Sequence, residues 1–441
     1  NNIFQYTLEI SYGDRSHFYG GFFGETELPA VTDNKNRQLN GIMKNMYTQG
    51  EVSRLATEVN TIVDAKAQAQ GAKLKDLMIK DAFSAYWADS SINPDAYDGL
   101  YKQSQAIGTA FTSLESFYRS HVIDLRGAPL TPEVVNDAAT IINDIGNRQI
   151  THIFGPTGAF NALNQSLFSR DRVDLSRVPG GYNGVTNSLN QAVPTLFGDA
   201  VLMPEVFAGR NASRLSSDSA RGNASLAPPA PVAVDLDSGT AGVQSVVAVD
   251  SDPLSKYVAS DDLGSVFYAV SAINKYGESA LLVLPDASTA STIAAGDSND
   301  LGFEAGSGAN ATTGFVVYRT EVTTSGTAAG VPFYEIGRIS TTDLAAGYDG
   351  ASAGAYRDRG RILPNLGTSF ATEISANTVE RNQLLAPSRI DFAITGLTQR
   401  FAVIKRDTPT LYAPLAFVRF ENCQLLGSKA AGNSGSGAVL I

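Results

Sequence analysis

Apolar positions change period several times along the chain, and each change marks an expected element. Val52, Leu55, Val59 and Ile62 recur at helical spacing, and so do Leu74, Leu77, Met78, Ala82 and Ala85. This spacing predicts two amphipathic helices broken near Gly71. A third is expected from Ala110, Phe111, Leu114, Phe117 and Tyr118. The sharpest helical signal is at 132–145, where Val135, Ala138, Ile142 and Ile145 form one stripe. Thr131 stands at the capping position, Pro132 at the first helical position and Glu133 in the first turn, and Gly146 closes the run. A strand, "RQITHIFG", follows, and "PTGAFNALNQSLF" predicts a short helix burying Phe160, Leu163 and Leu167.

The pattern shifts after a polar, small-residue stretch, "AGRNASRLSSDSARGNASLAPPAP", which has the composition of a linker and sets a boundary near 228. Residues 228–370 then show strand patterns separated by Gly, Ser, Thr and Asp: "PVAVDL", "SVVAVD", "FYAVSAIN", "SALLVL", "GFVVYRTE" and "FYEIGRIS". Short strands with regular turn signals predict an all-β sandwich. Along "FYAVSAIN", Tyr268, Val270 and Ala272 point one way and Phe267, Ala269 and Ile273 the other. Both faces are apolar, so this strand is expected at the centre. "DSNDLGFEAG" (297–306) lacks calcium-loop spacing and is expected to be a loop. "RFAVIKRD" and "LYAPLAFVRFENCQLL" add strands near the C-terminus, before a Gly/Ser-rich tail. At the other end, "FYGGFFGETELPAVTDNKNRQLNG" has no helical period and predicts an extended arm over 1–49. The turn signals Asn93-Pro94-Asp95 and Asp98-Gly99 interrupt the aromatic stretch "YWADSSINPDAYDGLYKQ".

Composition narrows the function classes. The length of 441 residues suggests about three domains. Charged residues are only 17%, and the net charge is −11, which argues against a sequence-reading nucleic-acid binder. Low charge with 41 glycines suits a chain that hides surface against copies of itself. Cys423 is the only cysteine, so no intrachain disulfide forms and a reducing cytoplasm is favoured. The sequons at Asn211, Asn223 and Asn310 then carry little meaning. The first residues show no export-signal pattern, and no apolar run approaches the ~18 residues of a membrane span. The absence of an initiator Met accords with proteolytic maturation.

No chemistry emerges from the motifs. His17, His121 and His152 are far apart and lack zinc-site spacing, so each is expected to be structural. Phosphate-loop, dinucleotide-binding and esterase-elbow patterns are missing. The mixed-charge runs "RDRVDLSR" (170–177) and "YRDRGR" (356–361) are expected to be solvated or subunit-bridging surface. Lys102 and Lys405 have no surroundings that would activate them as nucleophiles. No catalytic, cofactor or metal residue is expected, and the chain tilts toward a structural role.

The order of parts supplies a resemblance. An extended arm, an aromatic turn-rich segment, a capped helix leading into "RQITHIFGPTGAFNALNQSLFSRDR", then "GVTNSLNQAVPTLFGDAVLMPEVF", and finally "YAPLAFVRFEN" together resemble the major capsid proteins of tailed bacteriophages. The family's spine helix and the stretches after it map onto 131–147, 150–168, 198–207 and 411–422. The resemblance implies an α+β phage major capsid fold. Its parts are an N-terminal arm (1–49), a capsid core (50–227) holding the extended loop within 83–103, the spine helix and most of the apical domain, and a return to the core with a flexible tail (371–441). Between them, "YAVSAINKYGES" looks like the penultimate strand and hairpin of a fibronectin type III domain. "GFVVYRTE" is similar to a strand that normally precedes it and here follows it. Residues 228–370 are therefore expected to be a permuted or otherwise immunoglobulin-like insertion.

The family implies self-assembly through hexamers and pentamers into an icosahedral head that encloses double-stranded DNA without sequence-specific binding. Portal and cementing proteins would be partners, the membrane would not, and assembly would occur in the host cytoplasm before residence in the virion. Phe22, Phe23, Trp87, Tyr97, Tyr101 and Lys102 are the expected assembly contacts, with Lys102 a candidate for cross-linking to an asparagine. Two rivals remain, an extracellular adhesin or fibre protein and a hydrolase with an accessory sandwich, and a nanocompartment shell protein is a closer variant that shares the capsid fold.

Overall fold

The computed structural model describes residues 3–11, 35–53, 64–110, 121–170, 192–208, 213–237, 244–258, 262–286, 289–392, 397–425 and 439–440. Helices and strands mix along the chain, as an α+β class requires. The strands β1 (Ile3–Ser11), β2 (Lys35–Ile42) and β3 (Lys44–Ser53) come first. They are followed by α1 (Ala65–Trp87), α2 (Leu100–Ala110), β4 (Val122–Asp124), α3 (Pro132–Gly146), β5 (His152–Gly155), α4 (Thr157–Arg170), β6 (Ala192–Thr195) and β7 (Gly198–Pro204). A β-rich stretch holds β8 (Ser213–Arg214), β9 (Arg221–Gly222), β10 (Val232–Ala233), β11 (Val246–Val249), β12 (Gly264–Val266), β13 (Tyr268–Asn274), β14 (Gly277–Glu278), β15 (Leu282–Leu284), β16 (Ser291–Ile293), β17 (Ser298–Glu304), β18 (Gly314–Thr320), β19 (Phe333–Ser340), α5 (Thr341–Ala346) and β20 (Ala355–Asp358). The chain then returns through β21 (Gly367–Thr372), β22 (Val379–Asp391), β23 (Thr398–Leu411), β24 (Phe417–Cys423) and β25 (Val439–Leu440).

One sheet of seven strands, in the order β25-β4-β24-β21-β5-β7-β6, forms the first core. The expected stripe of α3 packs on it: Val135, Ala138 and Ile142 are fully buried among Ile123, Ile153, Val418 and Phe420. The cap details differ from expectation. The Thr131 side chain makes no capping bond. Gly146 is still helical, and a side chain there is excluded because a Cβ would lie 2.8 Å from the Leu415 carbonyl oxygen. The left-handed residue that ends the helix is Asn147, at φ 54°.

The second core lies where α1 backs the sheet β22-β23-β3. Here Val52, expected in a helix, belongs to β3. Thr48, Gly50 and Val52 face inward while Gln49, Glu51 and Ser53 face out, the period of a strand. Val52 packs with Leu77, Phe401 and Val403, and the rest of that expected helix lies outside the described residues. α1 runs unbroken through Gly71, a position where a Cβ would meet nothing. One exposed glycine costs a long helix about 1 kcal/mol, too little to break it when its inner face is buried. The extended loop expected at 83–103 is also overturned. That stretch is the end of α1, a tight turn and the start of α2, with Tyr86 and Trp87 buried beside Phe370, Leu411 and Phe417. Aromatic residues there serve a core.

In the β-rich stretch a seven-stranded sheet, β8-β19-β18-β13-β14-β9 with β15 on β13, packs against a four-stranded one built on β17. Tyr268, Val270, Ala272, Phe315 and Val317 meet Leu301, Phe303 and Tyr356 between them. Phe267, Ala269, Val316, Tyr318 and Phe333 are buried on the opposite face. β13 is thus central, with both faces covered.

Two expectations fail here. "DSNDLGFEAG" is β17, paired with β11 on one edge and β20 on the other. Its polar side chains are buried with partners, so polarity did not mark a loop. The stretch with linker composition instead supplies β8 at one end of the seven-strand order and β9 at the other. It runs as a strap with the Arg214 side chain fully buried, so the β-rich stretch begins before 228.

Candidate functional site

The expected contact residues divide. Phe22 and Phe23 lie outside the described residues. Trp87 and Tyr97 are buried in the chain's own interior, so neither offers a neighbour much surface. Trp87 Nε1 donates to the Phe207 carbonyl at 3.1 Å. Burial raises the Tyr97 hydroxyl pKa well above the ordinary phenol value. Tyr101 and Lys102 remain partly exposed and come together. The Tyr101 ring packs 4.9 Å from that of Trp87, the Arg419 guanidinium sits 4.8 Å over it, and its hydroxyl donates to Glu421 at 3.4 Å. Lys102 Nζ pairs with Asp89 at 3.0 Å.

These two residues line a cavity of about 150 Å³ between the α1–α2 turn, β19, β20 and β24, where core and β-rich stretch meet. Its floor is the run Tyr356–Arg361. Read from the sequence as solvated or subunit-bridging surface, most of that run is instead buried within the chain in paired charges. Arg357 grips Asp300 with two bonds, at 2.6 and 2.8 Å. Asp358 accepts from Arg319 at 2.8 Å, Tyr257 at 2.7 Å and Tyr268 at 2.9 Å. Arg359 bridges Asp252 at 2.7 Å and Asp349 at 2.9 Å. Arg361 alone in the run is well exposed, paired with Asp349 at 2.8 Å. Burying charges is tolerated only with such pairing. Burial raises the Asp252 pKa, but bonds from Arg359, the Leu254 amide and Ser298 outweigh it and hold the carboxyl at about 2.

Nothing in this arrangement presents a poised nucleophile or base. Burial pushes the His121 imidazole down to about 4 and the Cys423 thiol up to about 12. His152 Nδ1 lies 2.8 Å from Thr151 Oγ1, and His17 lies outside the described residues. Lys405 is held between Asp81 at 2.6 Å and Asp407 at 2.7 Å as an ion-pair partner. Among the described residues no group of His, Cys, Asp or Glu is placed to hold a metal, and no helix is long and apolar enough to cross a membrane.

A different surface stands out by its apolarity. β22 is exposed along nearly its whole length, and Leu384, Leu385 and Ile390 project from it, with Phe392 and Leu397 just beyond. Tyr47 on β3 is 67% exposed. Sequence reading missed β22, because "VERNQLLAPSRID" has neither a strand's alternation nor a helix's stripe.

No protein-family model matches the chain, and no curated protein matches it. Among solved structures it is similar to the capsid of cyanophage P-SCSP1u, at 7% identity, covering 96% of this chain and 84% of that one, with a TM-score of 0.38. The cyanophage Pam1 capsid is similar at 8% identity, with 96% and 86% covered and a TM-score of 0.38. The holo-SrpI encapsulin complex of Synechococcus elongatus is similar at 8% identity, with 95% and 82% covered and a TM-score of 0.33. These neighbours are capsid and shell proteins, not enzymes. Scores at this level leave the function of this chain to be argued from its own residues.

Proposed function

We propose that this chain is a shell-forming subunit of the tailed-phage major capsid kind, closing with its own copies around double-stranded DNA. The observation that carries the reading is the sheet β3–β23–β22. It joins the chain's first and last thirds and is backed by α1, yet among the described residues it leaves the long outer strand at the sheet edge with apolar side chains exposed. A monomer seldom leaves such a strand uncovered, whereas a subunit covers it with a neighbour. Within this reading the family's parts shift. α1, 23 residues and about 34 Å long, takes the spine role in place of 131–147. The ribbon β1–β2, rooted in the interior by Leu8, takes the reaching role in place of 83–103. The net charge of −11 suits a container that must release its DNA.

The β-rich stretch is assigned as a permuted immunoglobulin-like insertion. In that fold strands C, F and G lie side by side in one sheet, with B beside E in the other. β18, β13 and β15 have the first relation, and β17 and β20 the second. The chain order is then F, G, B, C, E. Portal and cementing partners, and assembly in a host cytoplasm, follow from the same reading.

Sedimentation of the purified protein, with absorbance at 260 and 280 nm, tests the function. Large closed particles with nucleic acid from native virions support it. Particles carrying only protein cargo would favour a nanocompartment, and a monomer at every concentration and salt would refute any shell.

A further inference from the structure

The sheet β3–β23–β22 has two faces, and α1 covers one of them. Register fixes which side chains share a face. On one side Thr48, Val52, Phe401 and Val403 turn toward α1. There Thr48 Oγ1 donates to the Lys73 carbonyl at 3.1 Å, and Arg389 Nη1 donates to Gln70 Oε1 at 3.0 Å. On the other side Tyr47 lies opposite Ile404, Ile404 opposite Ser388, Ala402 opposite Ile390 and Arg406 opposite Leu385. Tyr47, Ile390 and Leu385 are exposed there. The outer edge of β22 is a poor template for another strand. Its pairing with β23 slips twice, between 383 and 385 and between 385 and 388, and Pro387 has no amide hydrogen to give. What this side offers a neighbour is its face, not its edge.

The helix has an open side of its own. Ala67, Gly71, Ala72, Met78 and Ile79 are exposed on the turns of α1 that face away from Leu77, with Leu74 at their flank. We propose that the sheet face of one copy is covered by this open side of α1 from the next copy. The pairing rests on the shell reading and names the two surfaces that meet. They are of one length: about 18 Å from Ala67 to Ile79 along a helix, and roughly 17 Å from Leu385 to Ile390 along a strand. The packing is one the chain already makes within itself, a helix laid on this same sheet. A Cβ at Gly71 would meet nothing in its own chain, and without one a neighbour's sheet can approach closely.

The two surfaces lie on opposite sides of one helix-on-sheet unit, so both cannot meet the same neighbour. The contact is therefore head-to-tail: each copy gives its helix to one neighbour and its sheet to another. Contacts of that kind close into rings or run on as fibres, and rings are what hexamers and pentamers require. Three strands spaced ~4.8 Å apart, over that length, make a patch of roughly 250 Å². A standard interface takes about 800 Å² from each partner. Two copies would not stay joined through this patch alone, whereas a closed ring leaves no copy without either contact.

The test uses two full-length variants, Met78→Cys and Ile390→Cys, assembled separately and as an equal mixture, then treated with a short bismaleimide at pH 7. Cys423 is buried and stays silent. Each chain carries one new thiol, so every link joins two chains. The mixture should give several-fold more covalent dimer than either variant alone, with position 78 joined to position 390 in its peptides. Particles that sediment normally while the mixture links no better than the single variants would overturn the pairing and leave the shell reading standing. A natural chain that forms no particles removes both. If a variant fails to assemble, hydrogen–deuterium exchange on the natural chain decides. Peptides covering 67–79 and 385–392 should both exchange several-fold more slowly in particles than in dissociated subunits, and no change in either one overturns the pairing.

Discussion

Arg214 and Glu278 meet at 2.7 Å, the arginine side chain wholly buried, and the pair fastens a segment of linker composition across a sheet. Glu278 also accepts from Ser271 at 2.5 Å and Tyr318 at 2.6 Å. Removing the cation strands a carboxylate in a largely buried site. Arg214→Ala should therefore cost about 3–5 kcal/mol. Arg221→Ala, which removes a solvent-screened partner of Asp218, should cost far less. Thermal or urea unfolding of both variants reads the difference.

The open strand separates assembly from folding. Leu384→Ser and Ile390→Ser change residues that are 55% and 47% exposed. Each should leave subunit stability within about 0.5 kcal/mol of the original. Each should also lower the yield of assembled particles, measured by sedimentation beside an unfolding curve. Variants that assemble normally would remove β22 from the interface.

Two carboxylates give the pH profile opposite slopes. Asp124, raised to about 6, makes the fold more stable as pH falls from about 6 toward 4. Asp252, held at about 2, contributes stability that is complete above about 4 and is lost as pH falls through 2. Stability should rise slightly on mild acidification and drop below pH 4. Asp252→Asn should flatten the acid limb and lower stability at neutral pH, as followed by circular dichroism across the range.

Cys423 is buried, and its thiol is pushed up to about 12 by loss of solvent. A thiol reagent at pH 8 should not label the native protein and should label one site per chain after denaturation. Rapid native labelling would show that β24 opens.

What the sequence made legible was local. α3 announced itself through its stripe, Pro132 and Glu133, and β13 through two apolar faces, because each signal sits within a few residues. What it hid depends on partners far along the chain. Val52 reads as helical until Phe401 and Val403 are placed beside it. Asp300 in β17 reads as loop until Arg357 reaches it. The run 356–361 looks like surface because charge normally is, and its burial makes sense once Asp252, Asp300, Asp349 and Arg319 are placed beside it. The contact candidates Trp87 and Tyr97 rest on aromaticity, which marks cores and interfaces alike, and both lie in the chain's own interior.

Electron microscopy of the purified protein tests the central claim most directly. The account predicts uniform hollow particles built from one kind of subunit, with density for the β-rich stretch repeated at every position. Dispersed single molecules under all concentrations and salts, and in native virions a shell made of some other protein, would contradict it.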